Sequence, residues 1–289
     1  MCLAVLAINA HPDWPLIVAA NRDEYHARPT QAMHPWSDNP GLLAGKDLLA
    51  GGSWLGVTTS GCFALLTNVR DPARHQHHAP TRGALIPDFL GSQHGTSQYL
   101  EMLAQAANQY NGFNLIAQQP DGQIWHASNY QTPFAHPIPA GVHGISNALL
   151  NTPWPKIERT TEALKTYLTS TKSTTSTTST TSTTPIGSDD LYEALLDIMR
   201  DTTPINDALL PSTGISLPRE RLLATPFIVS PDYGTRCSTY LLRHRNGNQW
   251  VQEDSYDATG TRIGRLRYGS VAGEPWRAID AGPGSFSTD

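Results

Sequence analysis

The sequence predicts an α+β protein in which antiparallel sheets are covered by helices. Apolar segments of strand length follow one another in hairpin-like pairs, as in residues 3–20 and 113–127. Segments with apolar residues at helical spacing are gathered in two central blocks, within residues 82–110 and 155–200. A doubly wound parallel sheet would instead alternate strands and helices. The chain has no such alternation and no GxGxxG or P-loop pattern, so the antiparallel arrangement is the better prediction.

Composition bounds the domain organisation and the class of partner. The chain has 289 residues, of which 39% are hydrophobic and 16% are charged. This suits one packed domain over residues 1–289 and excludes a largely disordered chain. The formal net charge is −5 with no basic block, so no nucleic-acid partner is expected. No apolar run approaches the ~18 residues of a membrane-spanning helix, so no membrane span is expected. The sequence carries no signal for an oligomeric state.

The cysteines indicate the compartment. Cys2, Cys62 and Cys237 lie far apart in the chain and are odd in number. They form no disulfide framework and no CxxC zinc pattern, so no metal site is predicted. Free thiols are typical of a reducing compartment, and the first apolar segment lacks the basic lead-in of a secretion signal. The sequence therefore predicts a cytoplasmic protein.

Polar side chains stand at the ends of several predicted strands. Residues 21–24 (Asn-Arg-Asp-Glu) follow an apolar strand directly, and two further strands end on Asn68 and Asn147. Strand ends can present polar groups on a rigid support, so these residues are candidates for a functional site. An asparagine amide there could donate to an oxyanion, although Asn68 could equally cap the following turn. Arg236, the one charged residue of the predicted strand 235–242, is either a functional arginine with a carboxylate or ligand or an ordinary edge residue.

Four segments are predicted to lie outside the regular structure. Residues 28–47 are rich in Pro, Gly and Asn and are predicted to form a long loop. Residues 74–78 contain several histidines without an HExxH or CxxC partner, which favours an exposed loop over a metal or haem site. Residues 169–185 are almost entirely Ser and Thr, which predicts a flexible insertion. Residues 268–289 are predicted to form a loose C-terminal tail.

The first predicted strand begins at Cys2, which becomes the leading residue once Met1 is removed. Its thiol and its own α-amino group would then lie on one residue, a nucleophile beside a candidate base. An α-amine titrates near ~7.7–8.0 and can accept a proton at neutral pH. Nucleophiles paired with a terminal amine are an established route to covalent catalysis. The alternative is that Cys2 is an inert residue of an early strand.

Five sequence blocks, taken in order, resemble the NRDE family, whose animal members are the transport and Golgi organisation proteins. The blocks are Met1-Cys2, Asn21-Arg22-Asp23-Glu24, Thr67-Asn68-Val69-Arg70, Ser146-Asn147-Ala148-Leu149 with Thr152-Pro153-Trp154-Pro155-Lys156, and Tyr233-Gly234-Thr235-Arg236-Cys237-Ser238-Thr239. The resemblance covers residues 1–257. It implies a four-layer αββα sandwich of two antiparallel sheets, similar to the N-terminal-nucleophile hydrolases of the cysteine group, which contains penicillin V acylase and bile salt hydrolase.

The resemblance also implies roles for individual residues. Cys2 would be the nucleophile, Asp23 the residue that orients its amine, and Arg236 the arginine beside the thiol. Asn68 and Asn147 would form the oxyanion site. Substrate contacts are expected from residues around these positions, namely Asn21, Arg22, Glu24 and Trp54.

The chain departs from the hydrolases at one position of the second strand. They have an arginine where this chain has Ala20. Arg22 lies further along the same strand and is expected to point to the other face.

Two functions are compatible with the sequence. The first is an amidohydrolase or acyl-transfer enzyme that acts on a non-peptide amide bond of a small molecule, with no cofactor. The second is a protein that binds and traffics haem or another hydrophobic ligand, such as an acyl-CoA or a lipid, without catalysis. No axial haem ligand is identifiable from the sequence.

Overall fold

Residues 2–120, 122–173 and 187–279 are described by the computed structural model of the chain. Met1 and the side chain of Cys2 lie outside the described part. The strands are β1 (Cys2–Ile8), β2 (Leu16–Tyr25), β3 (Thr30–Trp36), β4 (Asn39–Asp47), β5 (Leu55–Thr58), β6 (Phe63–Asn68), β7 (Phe113–Gln118), β8 (Trp125–Ser128), β9 (Ala135–Pro137), β10 (Gly141–Ile145), β11 (Tyr233–Arg243), β12 (Gln249–Tyr256), β13 (Arg262–Ser270) and β14 (Arg277–Ala278). The helices are α1 (Leu85–Leu90), α2 (Thr96–Ala106), α3 (Pro155–Ser173), α4 (Ser188–Met199) and α5 (Leu217–Leu223).

Within the described residues the strands form two antiparallel sheets of seven strands each. The first sheet has the order β10-β1-β2-β11-β12-β13-β14. The second has the order β3-β4-β5-β6-β7-β8-β9, so that strands consecutive in sequence lie side by side. This arrangement confirms the predicted hairpin pattern and the α+β fold class.

Alternating side chains of the strands build three apolar layers. Ala4, Leu6 and Ile8 of β1 pack between the two sheets, together with residues of β5 and β6. Because successive side chains in a strand point to opposite faces, Leu3 and Val5 of β1 point the other way, where they pack under α3 and α4. The outer face of the second sheet packs under α1 and α2 in the same manner. The layers therefore follow the predicted order of helix, sheet, sheet, helix.

The prediction of a long loop at residues 28–47 is wrong, because β3 and β4 form a hairpin there. Pro35 suggested a loop, but β3 is the edge strand of the second sheet. A proline is tolerated at an edge because its missing N–H leaves no interior hydrogen bond unmade. Met33 and Leu43 supply the buried contacts that hold the hairpin on the core.

The predicted boundaries of the insertion and of the tail also differ from the structure. α3 continues to Ser173, into the segment predicted as an insertion, while residues 174–186 lie outside the described residues. Residues 268–279 are not loose. They contain the end of β13 and the short strand β14, and the Trp276 indole N–H donates to the Gly41 backbone oxygen at 2.9 Å. Residues 280–289 lie outside the described part of the chain. None of the described helices is both long enough and apolar enough to cross a membrane.

Candidate functional site

A cleft of about 450 Å³ opens at the end of the sandwich where β2 and β6 finish. Its volume lies within the range of small-molecule sites, ~300–1,000 Å³. The lining is mainly polar and includes residues 77 and 79–83, which follow β6 in the chain. Among the predicted site residues, the structure brings five to this cleft: Arg22, Asp23, Glu24, Trp54 and Asn68.

Strand register relates Cys2 to this cleft. The Cys2 backbone pairs with Arg22 of β2, and Arg22 pairs in turn with Cys237 of β11. On the other side of β1, Ala4 pairs with Ile145 of β10. Continuing that antiparallel register by two residues brings Asn147 level with Cys2. The backbone of Cys2 therefore lies between a residue that lines the cleft and the segment that contains Asn147.

The Arg22 side chain points between the two sheets. Its guanidinium carbon lies 4.4 Å from the centroid of the Trp54 ring. Nη1 donates to Thr30 Oγ1 at 3.0 Å, and Nη2 lies 3.5 Å from Asp47 Oδ2. Ala20 belongs to the core between the sheets. The expectation that Arg22 points to the other face is therefore wrong, because residues two apart in a strand share a face.

The Trp54 ring is seated against the backbone of β4. A Cβ added at Gly45 would lie 2.2 Å from Cη2 of the ring, closer than any real contact. Glycine is therefore required at position 45 if the ring is to lie beneath Arg22. This contact connects the second sheet to the wall of the cleft.

Asp23 is buried beside β11, with 1% of the residue exposed. Its Oδ1 accepts a hydrogen bond from Thr235 Oγ1 at 2.7 Å, and the Tyr233 hydroxyl donates to its backbone oxygen at 3.0 Å. Burial raises the pKa of the Asp23 carboxyl above its usual value, and the charge of Lys156 opposes this shift. The side chain is thus held in one orientation next to the residue that pairs with Cys2.

The end of β6 and the segment after β10 are tied together through Asn147. Its Nδ2 donates to the Asn68 backbone oxygen at 3.0 Å, and the Arg70 backbone nitrogen donates to the Asn147 backbone oxygen at 2.8 Å. Arg70 Nη2 and Ser146 Oγ both donate to Asn147 Oδ1, at 3.4 and 3.3 Å. Because a guanidinium carries donors alone, these contacts decide which end of the amide is the oxygen. The NH₂ group of Asn147 is therefore turned toward Asn68.

Asn68 itself lines the cleft. Its side chain makes no hydrogen bond to another residue in the described ranges, so its amide does not cap the following turn. Its role as a donor to an oxyanion stays a prediction.

Arg236 lies at a bulge of β11, where the register with β2 shifts. Its Nη1 donates to the backbone oxygens of Tyr25, His26 and Arg28, at 2.8, 3.1 and 3.3 Å. These carbonyl groups thus bind one nitrogen of a guanidinium that the sequence left open as either a functional arginine or an ordinary edge residue. Arg236 does not line the cleft. Its role beside the thiol stays a prediction.

The Asn21 side chain lies on the face of the first sheet that packs under the helices. Its Nδ2 donates to the backbone oxygens of Met199 and Pro226, both at 2.9 Å. Its Oδ1 accepts a hydrogen bond from Ser238 Oγ at 2.6 Å. The amide therefore ties β2 to the end of α4, and the structure does not bring it to the cleft.

The histidines at residues 74–78 lie on an exposed segment beside the cleft, as predicted. His77 lines the cleft, and its ring contacts that of His75 with the centroids 5.2 Å apart. Within the described ranges, no group of three or more His, Cys, Asp or Glu side chains is placed to hold a metal ion.

A buried cluster of charges behind the cleft was missed in the sequence. Arg70 Nη1 and Glu220 Oε2 lie 2.7 Å apart, with 5% and 4% of the side chains exposed. Lys156 is also buried and donates to the Leu223 backbone oxygen at 2.9 Å. Arg70 and Lys156 belong to blocks that resemble the NRDE family, and this was the signal that could have found them. Nothing in the sequence singles out Glu220.

Comparison with known proteins identifies the family. A family model described as Transport and Golgi organisation 2 matches residues 1–258. The Transport and Golgi organization protein 2 homolog of Bos taurus is 32% identical over 269 residues, covering 88% of this chain and 93% of the relative. The homolog of Homo sapiens is 30% identical over 273 residues, with the same two coverages of 88% and 93%. Transport and Golgi organization protein 2 of Drosophila melanogaster is 27% identical over 176 residues, covering 54% of this chain and 61% of the relative. The chain therefore belongs to the Transport and Golgi organisation 2 family, the NRDE family that its sequence blocks resemble.

Proposed function

We propose that this protein is an N-terminal-cysteine amidohydrolase or acyl-transfer enzyme that acts on a non-peptide amide bond of a small molecule. The observation that supports the proposal is strand register: the backbone of Cys2 pairs with Arg22, which lines the cleft together with Asp23 and Asn68. Asn147 is outside the cleft lining and donates to the Asn68 backbone oxygen. The names of the relatives describe transport and Golgi organisation and state no reaction. Support for a reaction comes from the site and from the resemblance to the N-terminal-nucleophile hydrolases.

The first step would use both functional groups of Cys2 after removal of Met1. The α-amine takes the proton of the thiol, and the thiolate attacks the carbonyl carbon of the amide. Asp23 accepts a hydrogen bond from the amine and holds it in position. Support for this role comes from its place next to the residue paired with Cys2 and from the hydrogen bond that orients its carboxyl.

The attack places a negative charge on the carbonyl oxygen, which needs hydrogen-bond donors. Asn68 and Asn147 supply amide N–H groups for it, and Arg70 keeps the Asn147 amide in the donating orientation. Arg22 provides a positive charge beside the thiolate, which favours ionisation of a thiol. Arg22 thus takes the place of the arginine that the cysteine hydrolases have at the position of Ala20.

Collapse of the tetrahedral intermediate breaks the carbon–nitrogen bond. The protonated α-amine gives its proton to the leaving nitrogen, and the acyl group stays on Cys2 as a thioester. Water then attacks the thioester, which releases a carboxylic acid and restores the thiol. An amine acceptor in place of water gives acyl transfer.

Variants of Cys2 test the proposal. Intact mass first establishes whether Met1 is removed, and an electrophilic thiol probe with mass mapping then measures labelling of Cys2. We expect Cys2→Ala to fold like the wild-type protein and to lose both labelling and release of amine from a panel of chromogenic acyl amides. Cys62→Ala, which removes a buried thiol in the turn between β5 and β6, is the matched control and should retain both. Retained Met1, or turnover by Cys2→Ala equal to that of the wild type, would refute the assignment.

The cleft gives less support to binding of haem or another hydrophobic ligand. Charged side chains line it, including Arg28, Asp47 and Arg82 in addition to the predicted residues. Apolar ligands are held in pockets lined predominantly by apolar groups. We expect no Soret shift when haem is titrated against micromolar protein. A shift that is lost in His77→Ala would favour the binding function instead.

A further inference from the structure

Asn114 is a completely buried residue of β7, and its side chain joins the end of β6 to the segment after β10. Its backbone pairs with Thr67 in the strand register. Its Nδ2 donates to Thr67 Oγ1 at 3.0 Å and to the Ala148 backbone oxygen at 2.9 Å. Thr67 immediately precedes Asn68, and Ala148 immediately follows Asn147. One amide group therefore binds the chain next to both of the asparagines proposed as oxyanion donors.

His126 of β8 fixes the orientation of this amide. A backbone oxygen such as that of Ala148 only accepts hydrogen bonds, so the NH₂ end of the Asn114 amide faces it. The other end, Oδ1, lies 3.1 Å from His126 Nε2. Because burial lowers the pKa of the His126 ring to about 3, the ring is neutral and carries one proton. That proton lies on Nε2, which donates to Asn114 Oδ1.

The other ring nitrogen of His126 shows that this donor has a cost. Nδ1 is buried and has no hydrogen-bond partner among the described residues. An unsatisfied buried polar group typically costs ~1–3 kcal/mol. An apolar side chain would avoid this cost, as Ile124 does two residues earlier on the same side of the sheet. What the histidine provides and an apolar residue cannot provide is the hydrogen bond to Asn114.

We propose that Asn114 is a positioning residue that holds Asn68 and Asn147 in place as oxyanion donors, with its amide oriented by His126. The inference rests on the function proposed above. The same two segments are also joined by the hydrogen bonds from Asn147 to Asn68 and from Arg70 to Asn147. Asn114 adds a link from the interior of the sandwich. Without it the two asparagines can shift, and a displacement of about 1 Å at a reacting group can lower a rate by ~10²-fold.

Steady-state kinetics test this role. The substrate is the chromogenic acyl amide that the wild type hydrolyses fastest. We expect Asn114→Ala to lower kcat by roughly 10²-fold and to change KM by less than about threefold, because an oxyanion donor acts in the transition state. A kcat within about twofold of the wild-type value, or a change confined to KM, overturns the inference.

Gln118→Ala is the matched control for Asn114→Ala. Gln118 lies on the same strand and the same face as Asn114, but at the other end of the strand, where it pairs with Phe63. Its side-chain amide also makes hydrogen bonds, to the Gly122 backbone oxygen and from Arg243, at 3.1 and 2.9 Å. We expect Gln118→Ala to keep the wild-type kcat. An equal loss of kcat in the two variants shows a merely structural effect and overturns the inference.

Two variants of His126 test whether its N–H group orients the amide. His126→Gln retains an N–H donor for Asn114 Oδ1, whereas His126→Leu does not. We expect kcat in His126→Leu to be roughly tenfold lower than in His126→Gln. Equal kcat values contradict the role of His126. This pair also tests the inference if Asn114→Ala does not fold.

Hydrogen exchange at the Arg70 backbone amide tests the link between the segments without reference to catalysis. That amide donates to the Asn147 backbone oxygen at 2.8 Å, so its protection reports whether the segments stay joined. We expect exchange roughly tenfold faster in Asn114→Ala and unchanged in Gln118→Ala. Unchanged exchange in Asn114→Ala overturns the inference. If the wild type hydrolyses none of the acyl amides, the proposed function fails instead, and exchange at Arg70 still decides whether Asn114 joins the segments. The two failures are therefore distinguishable.

Discussion

Breaking the ion pair between Arg70 and Glu220 is predicted to destabilise the protein strongly. Both side chains are almost completely buried, and Nη1 and Oε2 lie 2.7 Å apart. Removing one member leaves an uncompensated charge in the interior, which typically costs ~3–5 kcal/mol. Removing both costs far less, because no charge remains to be desolvated. The loss of stability in the double variant is therefore expected to be smaller than the sum of the losses in the two single variants.

The contacts of each side chain decide where in that range each variant falls. In the wild type, the backbone nitrogen of Thr213 lies 2.9 Å from Glu220 Oε1, and Glu220→Gln retains an oxygen that can accept this hydrogen bond. We therefore expect a loss of stability of ~3 kcal/mol for this variant. Arg70→Met also removes the hydrogen bond to Asn147 and the contact of the guanidinium with the Trp154 ring, whose centroid lies 5.1 Å away. We therefore expect a loss of stability of ~5 kcal/mol for this variant.

Urea unfolding of the two single variants and the double variant measures the coupling free energy. Arg221→Met is the matched control. Arg221 follows Glu220 directly on α5 and has 53% of its side chain exposed, so its ion pair with Asp207 should contribute little. Single effects that add up to the effect of the double variant would refute the reasoning. Arg70→Met should also lower hydrolysis, by at most roughly 10²–10³, because the Asn147 oxygen then keeps Ser146 as its donor but loses Arg70.

Two further predictions concern the frame of the site. Gly45→Ala should destabilise the protein by ~1–3 kcal/mol and change the fluorescence of Trp54, because the added Cβ would lie 2.2 Å from the ring. Gly41→Ala, on the same strand, meets its nearest neighbour at an ordinary 3.4 Å and should change neither quantity, and equal effects of the two variants would contradict the packing argument. Burial lowers the pKa of His126 from 6.5 to about 3. Below pH 6.5 the unfolded chain therefore binds a proton that the folded protein does not, so stability falls as pH falls through that window, by ~1.4 kcal/mol per pH unit from this residue. Urea midpoints at a series of pH values should show a shallower dependence in His126→Gln but not in the exposed His94→Gln, and parallel curves for all three proteins would contradict it.

Features that depend on local sequence pattern were predictable. The strands of the first hairpin and the start of α3 at Pro155 follow from apolar runs and from turn and helix-start residues. The hairpin at residues 28–47 was not, because Pro35 indicates a loop unless the strand is known to lie at a sheet edge. Edge position is a property of the whole sheet. β14 was not predictable for the same reason, because next to it Trp276 contacts Gly41 of the other sheet.

The candidate site also contains residues that the sequence could predict and residues that it could not. Asp23 and Asn68 could be chosen because polar residues at strand ends are visible in the sequence. That Arg22 shares the face of Ala20 also follows from strand periodicity, although the opposite was expected. The buried charges of Lys156 and Glu220 could not be chosen, because these residues lie on helices far along the chain. Nor could the sequence reveal that the side chains of Asn21 and Arg236 donate hydrogen bonds to backbone carbonyl groups.

By itself, the sequence determined the fold class and the family, and it indicated Cys2 as a candidate nucleophile. Those properties depend on residue order and on short periodic patterns, which any segment displays before the chain folds. Which charges are buried together, which way the Asn147 amide points and which arginine lies beside β1 were decided by the packing of two sheets and their helices. These contacts depend on distance in space, which is set only when remote segments of the chain come into contact.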